Sequence, residues 1–163
     1  MNDELRRRID AFLARHTTLA LATAQSARDP WVAPLFYAHD EHLCCYFLSG
    51  ARSRHIRDLM DSRFAAVTVY ADQQQWQGIQ GLQMRVAASP VSNGERDQAM
   101  TLYAQKFPFV GGWLLRKAAA PVELTGALAG SVVWQLRPIW VRLIDNTQGF
   151  GHRDEADLRN VRQ

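Results

Sequence analysis

Cysteine is scarce in this chain: 163 residues contain two, Cys44 and Cys45, side by side. Neighbouring residues of a strand point to opposite faces, so a structural disulfide between them is excluded and both read as small hydrophobes. Long apolar runs are missing as well. No segment approaches the ~20 residues of a membrane-spanning helix, and the opening Met1-Asn2-Asp3-Glu4-Leu5-Arg6-Arg7-Arg8 has no apolar leader core. A cytoplasmic protein is expected. Charge of one sign is not in large excess, since 19 Lys and Arg stand against 16 Asp and Glu for a net +3. That balance is no nucleic-acid footprint. Gly-x-Ser-x-Gly, His-Glu-x-x-His and Cys-x-x-Cys are all absent, which removes the usual local signatures of hydrolase, zinc-protease and thioredoxin chemistry. Repeats, low-complexity stretches and linkers are also lacking.

What is present is a 47% hydrophobic chain of single-domain length, able to build a core without disulfides. Leu5, Ile9, Phe12 and Leu13 recur at helical spacing, predicting a helix over about residues 3–15 with Arg6 to Arg8 on its solvated face. From Thr17 the texture turns to strand: Thr17–Thr23, a turn over Ser26–Pro30, then Trp31–Ala38 and Leu43–Leu48 as a hairpin around His39-Asp40-Glu41-His42. The two histidines and two carboxylates of that turn read as solvated polar residues rather than a metal site. Ala65–Tyr70 and Gly81–Ala88 are further strands. Ser92-Asn93-Gly94-Glu95 is a capping box that opens a helix ending near Lys106, before Pro108. A short apolar helix through Trp113-Leu114-Leu115 follows, and then strands Val132–Leu136 and Ile139–Ile144 around Arg137-Pro138. This pattern predicts an α+β, mainly β, protein on a small antiparallel barrel. One domain spans 1–163: the helix, a barrel over about 17–151, and a tail over 152–163. Of the tryptophans Trp31, Trp76, Trp113, Trp134 and Trp140, most read as core.

One stretch breaks a rule. Ser49-Gly50-Ala51-Arg52-Ser53-Arg54-His55 places Arg52, Arg54 and His55 at the start of a helix, where the backbone carries partial positive charge. In the bland reading Ser53 is an ordinary N-cap and the basic side chains point into water. In the sharper one an anion sits there, held by free N–H groups, the hydroxyls of Ser49 and Ser53, and the cations. A P-loop is excluded, because its second Gly-Lys-Ser/Thr element is missing.

Thr18–Thr23, Trp31–Tyr37, and Tyr46–Ser49 with Ser53-Arg54-His55 together resemble the pyridoxamine 5′-phosphate oxidase-like family of flavin-binding split barrels. Gly81-Leu82-Gln83, Lys106-Phe107-Pro108-Phe109 and Asp145–Gly151 extend the likeness toward its YhbP-like branch, so that it covers Thr17 to Gly151. The resemblance implies a homodimeric, six-stranded antiparallel split β-barrel with a few peripheral helices, binding FMN between subunits. It assigns the phosphate to Ser53, Arg54 and His55, with Arg52 in support; His55 stands where the family has lysine. It assigns the flavin ring to Val32, Pro34, Leu35 and Phe36, with further contacts at Leu48, Ser49 and Gln83, and a closing turn at Asn146 and Phe150. The implied function is that of a flavin-dependent oxidoreductase acting on an unidentified small substrate. True pyridoxamine phosphate oxidation is not implied, because the chain end Asp154-Glu155-Ala156-Asp157-Leu158 lacks that enzyme's closing segment. A haem-binding relative with His152 as ligand, a deazaflavin protein and a non-catalytic flavin carrier are the alternatives.

Overall fold

The computed structural model describes residues 1–25, 29–73, 75–108 and 130–159. Helix α1 (Asp3–Arg15) forms where its spacing predicts, with Asn2 accepting a hydrogen bond from the Leu5 amide at 2.8 Å and Asp3 and Glu4 in the first turn. Its apolar stripe, Leu5, Ile9, Phe12 and Leu13, is buried. Arg6 and Arg7 stay on the surface, but Arg8 does not. Its guanidinium reaches Asp154 at 2.6 Å and Asp145 at 3.2 Å, pinning α1 to the far end of the chain.

Eight strands follow: β1 (Thr18–Ala24), β2 (Pro30–Phe36), β3 (Ala38–His39), β4 (Cys45–Gly50), β5 (Phe64–Tyr70), β6 (Gln80–Pro90), β7 (Ser131–Asp145) and β8 (Arg153–Asp157). They make one antiparallel sheet in the order β2-β1-β5-β6-β7-β4-β3, with β8 added beside β7. Six strands are thus corrected to eight. The supposed tail holds the eighth, and the hairpin expected between Trp31–Ala38 and Leu43–Leu48 survives only at β3 and β4, where Ala38 faces Tyr46 and His39 faces Cys45. The body of β2 turns back onto β1 instead. Helices α2 (Arg54–Ser62) and α3 (Asn93–Lys106) sit at the two connections their sequences suggest. Within the α3 capping box Ser92 bonds the Glu95 carboxylate at 2.6 Å rather than a backbone amide. The Trp113 helix and the Ser26–Arg28 part of the first turn lie outside the described residues.

The inner face of the sheet carries the core. Leu19, Leu21, Val67, Val69, Leu82, Met84, Val86, Val141 and Leu143 pack with α1 and with Ile56 and Leu59 of α2. Each such side chain is worth roughly 1.5–3 kcal/mol of burial. Cys45 joins this core while Cys44 packs on the other side against Ala99 and Val133, the opposite facing that adjacency predicts. Trp134 is also core, whereas Trp31 and Trp76 are exposed.

Strand β7 is continuous through Arg137-Pro138, where two strands were expected. Its pairing with β6 shifts there: Arg85 faces Trp140 and Val86 faces Pro138, leaving Ile139 as one extra residue. Proline has no N–H to give a ladder, and such bulges are where sheets tolerate it. The extra residue also resets the alternation. Before it the even positions Trp134 and Leu136 face the core; after it the odd positions Val141 and Leu143 do.

Candidate functional site

The start of α2 builds a polar corner at the end of β4. Ser53 occupies the N-cap position without a side-chain capping bond, and the first turn holds no acid. The Ser53 hydroxyl is turned to the Gly50 carbonyl, to Ser49 Oγ at 2.9 Å and to His55 Nε2 at 3.2 Å. Ser49 Oγ meets His55 Nε2 at 2.8 Å. Both Ser49 and His55 are buried, and this changes how the imidazole is read. Burial pushes its pKa below the ordinary histidine value, against a weaker upward pull from Asp58. Burial thus favours the neutral imidazole, and His55 acts as a hydrogen-bonding group between the two serines. Arg54 is not free either: it pairs with Asp29 at 2.5 Å and lies 4.8 Å over the Trp31 ring. Arg52 is exposed, with its carbonyl accepting from Arg57. Beneath the helix, buried Asp58 accepts from Thr23 Oγ1 at 2.7 Å.

The outer face of the sheet carries a second feature. Strand register aligns residues in two rows across it. One runs Val32, Ala22, Ala66, Arg85, Trp140, Asp157; the next runs Pro34, Ala20, Thr68, Gln83, Arg142, Glu155. The middle of both rows is an open groove of about 420 Å³. Its floor is flat because Ala20, Ala22 and Ala66 have only a methyl group each. Val32 is 60% exposed at one end, and at the other Trp140 lies between the guanidiniums of Arg85 at 5.5 Å and Arg142 at 5.0 Å. The structure thus brings Val32 and Gln83 to one surface, with Pro34 and Phe36 exposed on the same strand. Arg85, Trp140 and Arg142 escaped sequence reasoning. Only their alternation with buried Met84, Val86, Val141 and Leu143 hinted at them.

Other predicted positions lie elsewhere. Leu48 faces away from Ser49 and packs on two clusters, one holding Ala38, Tyr103 and Phe107 and the other Tyr46, Ala99 and Val133. Leu35 is half-buried on the inner side of β2. The Asp145–Gly151 segment is a turn between β7 and β8 rather than a chain end. Asn146 there is buried: it donates to the Trp76 carbonyl at 2.7 Å and accepts from the Gly151 amide at 3.0 Å. Gly149 and Gly151 take positive φ on either side of Phe150, which is 80% exposed and meets Trp76 edge-on at 5.4 Å. Asp145 anchors the turn. Burial alone would raise its pKa, but bonds from Thr147, Gln80 and Gln148 hold it down to about 2. His152 Nε2 lies 3.1 Å from Asp154. His39 bonds Asp10 at 3.1 Å, and no group of three or more potential metal ligands is found among the described residues. None of the described helices is long and apolar enough to cross a membrane.

No family model matches the chain. It is 27% identical over 149 residues to the UPF0306 protein of Serratia proteamaculans, covering 91% of this chain and 92% of that one. To the UPF0306 protein YhbP of Escherichia coli O157:H7 it is 26% identical over 146 residues, covering 89% and 88%. Among solved structures it resembles a haem binding protein from Mycobacterium smegmatis, with TM-score 0.74 and 16% identity over 98% of this chain and 60% of that one. This chain therefore spans about three-fifths of that neighbour's length. An FAD-binding protein from Mesorhizobium loti matches with TM-score 0.64 and 16% identity over 93% of both chains. A putative pyridoxamine 5′-phosphate oxidase from Listeria innocua matches with TM-score 0.64 and 16% identity over 86% and 98%. The sequence is similar to YhbP-like proteins, and the fold is the one shared by these flavin- and haem-associated neighbours.

Proposed function

We propose that the protein binds FMN and is an oxidoreductase acting on a small substrate. The observation that carries this reading is a polar corner at the edge strand β2: Arg54 lies over Trp31 on one side of that edge, and Val32, on the other, opens the groove. The residues present fit the group. An uncapped helix start with no acid in its first turn, beside two hydroxyls and an imidazole, suits a phosphate. Arg54 would exchange one anion, the Asp29 carboxylate, for another. Ser49, Arg52, Ser53, Arg54 and His55 would hold the phosphate, while Val32, Pro34, Phe36, the backbone at Leu35 and the side chain of Gln83 would meet the ring. Bound flavin supplies electron and hydride transfer. The chain's own part is to anchor, orient and shield it.

The groove is open on one side, so a second copy is needed to cover a tricyclic ring, and a homodimer with flavin between subunits follows. Phe150, presented outward on its two-glycine turn, is the residue suited to reach the neighbouring copy's site. The test is titration of the purified protein with FMN, riboflavin and haem, followed by absorption and fluorescence. FMN binding well ahead of riboflavin supports the phosphate corner; equal binding removes it. NADH- or NADPH-dependent turnover separates an enzyme from a carrier. A second reading, haem binding, is favoured by the fold shared with the mycobacterial protein and by His152, whose ring is oriented by an Asp154 that Arg8 also holds. A Soret band lost in His152→Ala would select it.

A further inference from the structure

We infer that the β6–β7 side of the outer groove is an oxyanion site that takes a flat, ring-bearing carboxylate, whose acid group docks on Arg85 and Arg142. The groove changes character along its rows. It is alanine-floored over β1 and β5, then cationic and aromatic over β6 and β7, and no acid lines it. Acids appear only one strand further out, on β8, and they are already engaged. Glu155 takes Arg142 at 2.8 Å and Arg153 at 3.9 Å, and Asp157 is held by Arg159. Among the described residues Arg85 makes no ion-pair contact; its guanidinium rests on Trp140 and is felt electrostatically by Asp157, whose carboxylate Arg159 holds directly. Positive charge is therefore left over in the groove, at its aromatic end.

The shape of the ligand follows from the floor. Ala22 and Ala66 sit directly beside each other and beside Arg85 in one row, about 5 Å apart per strand. A planar ring laid over the two methyl groups would bring a substituent on its edge to Arg85 and put its far edge beside Val32. A carboxylate lies in the plane of its ring and presents two oxygens to a guanidinium fork. A tetrahedral phosphate would stand out of the shallow groove. Arg142, held by Glu155 and 3.4 Å from Gln83 Oε1, closes the same corner. Its ring would share the floor assigned above to the flavin ring, so the carboxylate is tested on flavin-free protein and its binding does not rest on the flavin reading.

The experiment is calorimetric titration of the full, flavin-free chain with naphthalene-2-carboxylate and with its neutral carboxamide. The carboxylate should bind at least about tenfold more tightly than the amide, since the contact is charge-assisted. Arg85→Gln should abolish that preference, and Arg85→Lys, which keeps the charge but not the fork, should retain part of it. Equal affinity for the two probes, no binding of either, or a preference that survives Arg85→Gln would each overturn the proposal. FMN titrations on the same samples are read separately. Loss of FMN binding with the carboxylate preference intact removes the flavin reading alone, and the converse result removes only the oxyanion site.

Discussion

FMN affinity should depend on a proton taken up by His55. In the ligand-free protein the imidazole is buried, bonded to Ser49 and Ser53, and held neutral by its surroundings. A phosphate docked against those two hydroxyls adds opposite charge and raises the imidazole pKa. Between the free and bound values, binding takes up one proton, and affinity rises by up to about tenfold for each unit of falling pH. FMN complicates this, because its phosphate loses dianion character near pH ~6. The gain is therefore read between about pH 8 and about pH 6.5, where the phosphate changes little and histidine titrates. His55→Gln keeps a hydrogen-bonding group beside Ser49 but cannot become charged. Fluorescence-quenching titrations should give a pH slope for wild type that the variant lacks, with riboflavin flat in both. Parallel FMN profiles for the two proteins would refute the reasoning. Stability carries the opposite sign. A histidine whose folded pKa is depressed leaves stability intact above the unfolded value near 6.5, and stability then falls with further acidification by at most about 1.4 kcal/mol per pH unit. In the His55→Gln variant that part of the acid loss should vanish from urea melts.

Other outcomes follow from separate contacts. The Leu13 carbonyl accepts from Tyr37 Oη at 2.8 Å and Lys106 Nζ at 2.9 Å. Tyr37→Phe and Lys106→Met should each cost about 1 kcal/mol in urea denaturation, and the double variant roughly 1 kcal/mol beyond their sum, because only then is the carbonyl orphaned. Asp145→Asn sets one NH2 where Oδ2 accepts from Gln148 and Arg8, or where Oδ1 accepts from Gln80 and Thr147; it should destabilise by about 2–3 kcal/mol and increase hydrogen exchange in the β7–β8 turn. Val32→Lys, on the exposed end of the groove, should leave the monomer folded but give a monomeric mass by light scattering where wild type with FMN gives a dimer. A wild-type monomer with FMN bound would refute the shared site.

Much of the fold was legible because its signals are local. Four apolar residues at helical spacing announce α1, and the alternation of Leu19, Leu21 and of Leu82, Met84, Val86 announces strands with one buried side. The β2 pairing was misread because the nearest turn, at His39–His42, was taken as the hairpin. Sequence offers no measure of which neighbour buries more of Ala33 and Leu35, and β1 wins that comparison. At the polar corner the sequence showed the cations but not what neutralises them. The Asp29 that neutralises Arg54 is 25 residues away, and the burial that neutralises His55 arises from β4 and α2 closing together. The cationic end of the groove was invisible for the same reason. Arg85 and Trp140 become neighbours only once the register between β6 and β7 is known.

The extra residue at Ile139 makes chain length itself a functional variable. In a loop, losing a residue would only shorten a turn. A deletion anywhere in Arg137–Ile139 would exchange the sides of everything downstream, sending Arg142 toward the core and Val141 and Leu143 into water. The aromatic and cationic wall would vanish without any of its residues being mutated. Descendants of this chain can thus drift freely in composition here but not in spacing, and an alignment gap opened within this segment would equate residues that face opposite sides of the sheet.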